Sequence, residues 1–269
     1  MSVLTVAGSR KVMLAELGDG PPLLYLHDLV DIHSATGEWQ PFHRRLAEHF
    51  RVIAPAFAGC AGSDEDDDAL GPDDAVFHIL EVLDALGLDS VPVVGAGIGG
   101  WMAAELAVRD RRLVERLVLL GATGLFIPNE PVGDVFFNVQ PRNGLDMSDL
   151  REILFASADA PVAHEWVPDG RMAVERELLR YEMFRFAGRI GFRPPYLYNR
   201  NLIRRLERFD RPALVLWGER DRLVSTAHGR AYAAGFPRAE LKTYAGAGHA
   251  IHLERGEDAA RDTLAFLRA

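Results

Sequence analysis

Short apolar runs alternate with longer amphipathic segments along the first part of the chain. The short runs have the length and β-branched content that are typical of strands, and they lie at 3–7, 11–17, 23–27, 51–55, 91–95 and 117–121. Between them the apolar spacing predicts helices near 38–50, over 73–86 and over 98–109. Gly87 is a fitting end for the second helix. This alternation predicts an α/β fold with a mostly parallel central sheet and helices on both faces.

The alternation stops near residue 125 and resumes after residue 208. The intervening segment has proline- and glycine-rich turns and a helical run at 171–186, but no convincing strand. Beyond it the pattern predicts strands at 213–218 and 240–244 and helices at 226–235 and 257–267. We therefore expect a core made of residues 1–124 and 209–269. A helical cap, or lid, of residues 125–208 would be inserted after the sixth strand, and it is called the cap segment below.

Charge and cysteine content narrow the class of protein. The formal net charge of −9 argues against a nucleic-acid partner, since such domains usually carry a basic face. Cys60 is the single cysteine, so an internal disulfide is excluded, and a buried small hydrophobe is its favoured role. The first residues lack a signal-peptide pattern, and no apolar run is long enough to span a bilayer. We expect a cytoplasmic protein without a membrane partner, and a homodimer stays open.

Three motifs each follow a predicted strand, and along the chain they offer a nucleophile position, a carboxylate and a histidine in that order. The segment 91–101 reads as strand, sharp turn and helix with the spacing G-x-S-x-G, but Gly97 stands where the serine belongs. A carboxylate, Asp221, follows the strand at 213–218, and His249 lies in a glycine-rich loop after the next strand. In open α/β sheets, ligands bind beyond the carboxyl ends of the strands. The three loops are therefore expected to meet at one site.

These motifs resemble those of the α/β-hydrolase fold superfamily, over nearly the whole chain. The remaining residues that carry the resemblance are Tyr25-Leu-His-Asp28, the segment 52–59, Gly62-Ser-Asp64, the residues 100–106 after the turn, and the segment 248–254. Each motif alone is weak, but five in order are specific for the fold. They say little about substrate, because this fold hosts many chemistries.

The resemblance implies a role for each matching position. His249 matches the catalytic histidine and Asp221 the acid that orients it, with Glu219 as a nearby competitor. The backbone N–H groups of Ile98 and Leu29 would form the oxyanion hole. Backbone donors do not depend on side-chain identity, so this part of the site is expected to persist.

Two departures from the family pattern bear on the chemistry. Gly97 supplies no hydroxyl, so no acyl-enzyme ester can form there, and the missing side chain leaves space for a water molecule. Asp28 stands where the family usually has glycine. A carboxylate beside an oxyanion hole would oppose a developing negative charge unless it points away or is protonated.

Three hypotheses follow from the resemblance and its departures. We favour an enzyme that acts on a small carbonyl or ester-like substrate without a serine, with the His249–Asp221 dyad as general base for hydrolysis, C–C cleavage or lyase-type chemistry. The second is a serine hydrolase inactivated by a serine-to-glycine change at position 97. The third is a non-catalytic ligand-binding protein on a hydrolase scaffold. The retained dyad disfavours the third, and Asp28 disfavours the second, because one change would not explain both departures.

The remaining polar and aromatic candidates are weaker. We predict Asp28, Trp166 and Tyr181 as substrate contacts, and one arginine of the cap segment could hold a substrate carboxylate. The polar loop residues His27, Asp28, Asp31 and His33 could suggest metal ligands, but we interpret them as parts of the loop, and His252 as a packing residue. No metal or cofactor is expected. Nucleotide binding is disfavoured because the glycine-rich turn lacks Gly-Lys-Ser/Thr. The acidic run 64–68 is interpreted as a solvated loop.

Overall fold

Eight strands form one sheet in the order β1-β2-β4-β3-β5-β6-β7-β8 in the computed structural model, which describes residues 1–66 and 71–269. β1 and β2 pair antiparallel, β2 pairs antiparallel with β4, and all later pairs are parallel. The strands are β1 Ser2–Val6, β2 Arg10–Leu17, β3 Pro22–Leu26, β4 Arg51–Pro55, β5 Val91–Ala96, β6 Val114–Leu120, β7 Ala213–Gly218 and β8 Ala239–Tyr244. The predicted mostly parallel sheet is confirmed.

Helices cover both faces of this sheet. They are α1 Pro41–Ala47, α2 Pro72–Leu86, α3 Gly97–Arg109, α4 Val135–Asn138, α5 Ser148–Leu154, α6 Pro161–Trp166, α7 Val174–Gly191, α8 Thr226–Gly235, α9 Ile251–Glu254 and α10 Gly256–Leu267, with 3-10 turns at Ile32–Thr36 and Ile203–Arg208. α7 begins and ends later than the helix predicted at 171–186. No described helix is both long enough and apolar enough to cross a membrane.

The central strands are buried on both sides, which explains their continuous apolar runs. In β3, Leu24 and Leu26 belong to a core shared with α2, α3 and the cap segment. Leu23 and Tyr25, on the opposite face, pack into a second core with α1 and α10. Alternate side chains of β3 thus pack into two hydrophobic cores, one on each face of the sheet. This packing holds in place the end of β3, after which Asp28 lies.

The cap segment lies between β6 and β7, and no named strand occurs among its described residues. Glu65 forms ion pairs with Arg185 and Arg189 of α7, so this acidic residue anchors the cap segment to the loop after β4. The loop at 64–68, predicted to be solvated, is therefore held at Glu65 by ion pairs. Its last two residues lie outside the described residues. The division into a core and a separate cap domain stays a prediction.

Candidate active site

The turn between β5 and α3 is sharp and close-packed. Gly97 begins α3 with φ of 48°, in the left-handed region that glycine adopts without steric cost. A Cβ on Gly99 would lie 2.1 Å from the backbone oxygen of Leu26, and one on Gly95 would lie 2.5 Å from that of Gly99. The glycines therefore let the start of α3 approach the end of β3, and this approach brings Asp28 to the turn.

The carboxylate of Asp28 lies in the space that a side chain at position 97 would need. A Cβ built on Gly97 would be 1.8 Å from Asp28 Oδ1 and 2.1 Å from its Cγ. The expected space for a water molecule is thus filled by Asp28, and this corrects the sequence interpretation. The two departures from the family pattern are coupled, because the loop carboxylate and a side chain at position 97 cannot share one position.

Both expected oxyanion donors act on this carboxylate. The backbone N–H of Ile98 donates a hydrogen bond to Asp28 Oδ1 at 3.0 Å. The backbone N–H of Leu29 also stabilises the Asp28 carboxylate. Asp31 holds the loop in place, since its Oδ1 accepts a hydrogen bond from the backbone N–H of Asp28. Asp28 does not point away from the oxyanion hole but into it.

His249 lies between two carboxylates. Its Nδ1 is 2.9 Å from Asp221 Oδ2, and its Nε2 is 3.3 Å from Asp28 Oδ2. Asp221 Oδ1 accepts hydrogen bonds from the backbone N–H groups of Leu223 and Val224, each at 2.9 Å. All three side chains are buried. Asp221 is the carboxylate that reaches Nδ1, because the competitor Glu219 is exposed and accepts a hydrogen bond from Thr243 instead.

The charges of this group depend on one another. Burial alone would lower the pKa of His249, but the carboxylates of Asp221 and Asp28 raise it above its ordinary value. Burial alone would raise the pKa of Asp28, but the His249 imidazolium and the hydrogen bonds to the carboxylate lower it. The two carboxylates thus favour the imidazolium form of His249. The general-base role of His249 stays a prediction, and it requires that Nε2 first lose its proton.

A second buried polar group lies behind this site. Asp31 Oδ2 accepts a hydrogen bond from the Tyr25 hydroxyl and lies 3.8 Å from His43 Nε2 and 3.6 Å from His252 Nε2. Burial lowers the pKa of His43 to about 3, so this imidazole is neutral. Sequence reasoning did not single out His43 and named Tyr25 only as part of a motif, because they are ordinary residues of a helix and a strand. In the described ranges no group of three or more ligating side chains has the geometry to hold a metal ion.

Glu254 is a further residue that the sequence did not single out. Its Oε2 accepts a hydrogen bond from the backbone N–H of Gly248 at 2.6 Å, and its Oε1 accepts one from that of Ala156 at 2.9 Å. This carboxylate thus ties the loop of His249 to the cap segment. The sequence showed Glu254 only as part of the motif 248–254. It did not indicate the hydrogen bond with Ala156 of the cap segment.

A small cavity of about 30 Å³ lies between the cap segment and the loop after β3. It is lined by Leu29, Val30, Ile32, His33, Leu150, Trp166, Val167, Met172, Arg176, Arg180 and Phe184. Trp166, one of the predicted substrate contacts, is among these lining residues, and its role stays a prediction. Tyr181 is 60% exposed, packs beside Arg185 on α7, and is not among the lining residues. Asp28 and His249 are almost fully buried and are not among the residues that line this cavity.

The comparisons with known proteins agree with this fold. Residues 29–262 match the model of the alpha/beta hydrolase family. The chain is 32% identical over 150 residues to 2-hydroxymuconate semialdehyde hydrolase of a Pseudomonas species, a match that spans 55% of this chain and 52% of that enzyme. An enzyme of the same description from Pseudomonas putida is 28% identical over 277 residues, which cover 97% of this chain and 92% of that one.

Comparison with a solved structure also supports the alpha/beta hydrolase fold. A meta-cleavage product hydrolase from Pseudomonas fluorescens superposes with a TM-score of 0.81 at 20% identity, covering 100% of this chain and 97% of that chain. At this identity the likeness shows the fold alone. The family model covers most of the chain, and on that ground the chain belongs to the alpha/beta hydrolase family.

Proposed function

We propose that this protein is a serine-free hydrolase of small ester-like or carbonyl substrates, in which Asp28, His249 and Asp221 act together. The observation that carries the proposal is the position of Asp28. Its carboxylate lies between the Ile98 N–H and the His249 ring, in the space of the side chain that position 97 lacks. The site thus has an anionic oxygen at the point where a hydrolase of this fold needs a nucleophile or base.

The charges of the three residues suggest a separate catalytic role for each. Asp28 is the ionised group that faces the substrate, His249 carries the exchangeable proton, and Asp221 holds the ring and balances its charge. Proton transfer by positioned groups contributes about 10²–10⁴-fold to a rate. His249 acts as a base only after the charge on Asp28 is removed, because that charge is part of what keeps the ring protonated.

The named relatives indicate which compounds to test first. They are hydrolases of 2-hydroxymuconate semialdehyde and of 2-hydroxy-6-oxo-2,4-heptadienoate. We propose a small-molecule substrate of that kind, with C–C hydrolysis as one candidate reaction beside ester hydrolysis. A cytoplasmic location and a homodimer stay expectations from the sequence.

A second candidate function is ligand binding without turnover. It is favoured by one observation, which is that Asp28 already takes the hydrogen bond of the Ile98 N–H. A substrate carbonyl cannot use this donor unless Asp28 is displaced. The inactivated serine hydrolase is disfavoured, since a serine at position 97 would collide with Asp28.

We expect Asp28→Asn and His249→Ala each to lower kcat/KM by at least about 100-fold, because each removes a charged group of the site. The measurement is steady-state hydrolysis of p-nitrophenyl acetate and of the relatives' named substrates. Asp89→Asn and His164→Ala are matched controls, since both side chains are exposed, and they should keep the wild-type rate. Unchanged rates in both site variants would contradict the proposal. Thermal stabilisation of the wild type by one of these compounds, without turnover, would favour the binding candidate.

A further inference from the structure

A cavity of about 720 Å³ lies between the end of α7, the residues that follow it and the start of α2, and we call it the α7 cavity. It is much larger than the cavity beside Trp166, and its volume is in the range of small-molecule sites. None of the described residues that line it belongs to the group of Asp28, His249 and Asp221. The α7 cavity is therefore a candidate binding site that the proposed function does not use.

Arginine side chains dominate the wall of the α7 cavity. The described lining residues include Arg189, Arg193, Arg200 and Arg205. Arg189 pairs with Glu65, whereas the other three form no ion pair with a carboxylate in the part of the chain that the structure describes. These three guanidinium groups thus give the wall a positive charge that no described carboxylate balances.

Unpaired arginines at one cavity are unusual in so acidic a chain. Acidic residues outnumber lysine and arginine by 39 to 30. On α7 itself, Arg180 and Arg185 each pair with a glutamate. Asp73 is the single carboxylate among the described lining residues, and it pairs with Arg109 of α3. A ligand with two or three negative charges would supply the charge that the described residues do not.

The wall of the α7 cavity is held in a defined shape. The guanidinium carbon of Arg200 lies 4.2 Å from the centroid of the Phe126 ring, a stacking that limits its rotamers. Shortly before it, Tyr196 and Leu197 have φ of 74° and 49°, which is strained for residues with a side chain. The Leu197 oxygen accepts a hydrogen bond from the backbone N–H of Gly124 at 2.8 Å. Such a preorganised wall loses less entropy when a ligand binds.

We propose that the α7 cavity binds a small phosphorylated molecule, with Arg193, Arg200 and Arg205 as its phosphate-binding residues. The planar guanidinium fork matches phosphate oxygens and can donate two parallel hydrogen bonds to them. Phe192 also lines the cavity and is 63% exposed, so the organic part of the ligand has an apolar surface to pack on. The concave wall favours a small molecule, and the net charge of −9 disfavours a nucleic acid.

Isothermal titration calorimetry of the full chain with inorganic pyrophosphate tests the proposal. At physiological ionic strength the wild type should bind one pyrophosphate per chain. Arg200→Gln/Arg205→Gln should raise the Kd at least about 10-fold, because both substitutions remove hydrogen bonds to a charged group. Arg171→Gln/Arg238→Gln is the matched control, since it removes the same charge from two exposed arginines that do not line the cavity. This control should keep the wild-type Kd.

Circular dichroism would establish that the variants are folded. If the double variant at the cavity does not fold, Arg193→Gln alone replaces it, because this side chain is exposed, and it should raise the Kd at least about 3-fold. Absence of saturable pyrophosphate binding would overturn the proposal. An equal loss of affinity in the control variant would overturn it too, since the binding would then depend on overall charge. Either result leaves the proposed function standing, because the titration does not measure hydrolysis.

Discussion

We expect Asp28→Gly/Gly97→Ser to react with a fluorophosphonate probe at least about 100-fold faster than Gly97→Ser alone. A serine introduced by itself would meet the Asp28 carboxylate, because a Cβ at position 97 lies 1.8 Å from Oδ1. Removing the carboxylate frees both that space and the Ile98 N–H. An oxyanion donor of this kind contributes about 10²–10³-fold to a rate, which sets the expected difference.

The measurement is the initial rate of labelling, followed by fluorescence of the denatured protein. Asp28→Gly without the second change is the matched control, and it should stay unlabelled because it carries no nucleophile at position 97. Adding His249→Ala to the double variant should remove the labelling, since the serine needs the imidazole as its base. Equal labelling of Gly97→Ser and the double variant would show that Asp28 does not compete for this space.

Gly99→Ala should lower the free energy of unfolding by about 3 kcal/mol, the upper part of the usual range for an overpacked site. The added Cβ would lie 2.1 Å from the Leu26 oxygen and 2.6 Å from the His27 oxygen, both of which are backbone atoms. Backbone cannot rotate out of the way, so α3 or the end of β3 must shift. The loop that carries Asp28 would shift with it.

Urea unfolding followed by circular dichroism measures this loss. Gly71→Ala is the matched control, because its backbone is extended and no atom lies within 4 Å of the added Cβ. That variant should differ from the wild type by less than about 1 kcal/mol, the usual scale of a change at a helix N-cap. If Gly99→Ala were as stable as this control, the close approach of α3 to β3 would not be needed.

The order of elements could be predicted from the sequence because it depends on local periodicity. β4 and β7 have the predicted bounds, and α3 begins one residue before the predicted start. The bounds of α7 were harder to predict, since its polar residues are numerous and its apolar face is weakly marked.

The pairing of Asp28 with position 97 could not be predicted from the sequence. The two positions were each recognised as departures, but Asp28 and Gly97 are 69 positions apart in the sequence and nothing local relates them. Their contact depends on parallel pairing of β3 with β5, which places Leu26 beside Gly95. The charge state of His249 likewise depends on a second carboxylate that arrives from another strand end.

The pKa of His249 is the most direct test of the proposed division of charge, which requires an ionised Asp28 beside a protonated ring. Selective isotope labelling of histidine and NMR titration would measure it, with His249→Gln used to assign the signal. We expect the pKa in the wild type to lie well above 6.5 and to fall by at least about one unit in Asp28→Asn, since one of two neighbouring negative charges is lost. A pKa at or below 6.5 in the wild type, unchanged by Asp28→Asn, would contradict the account.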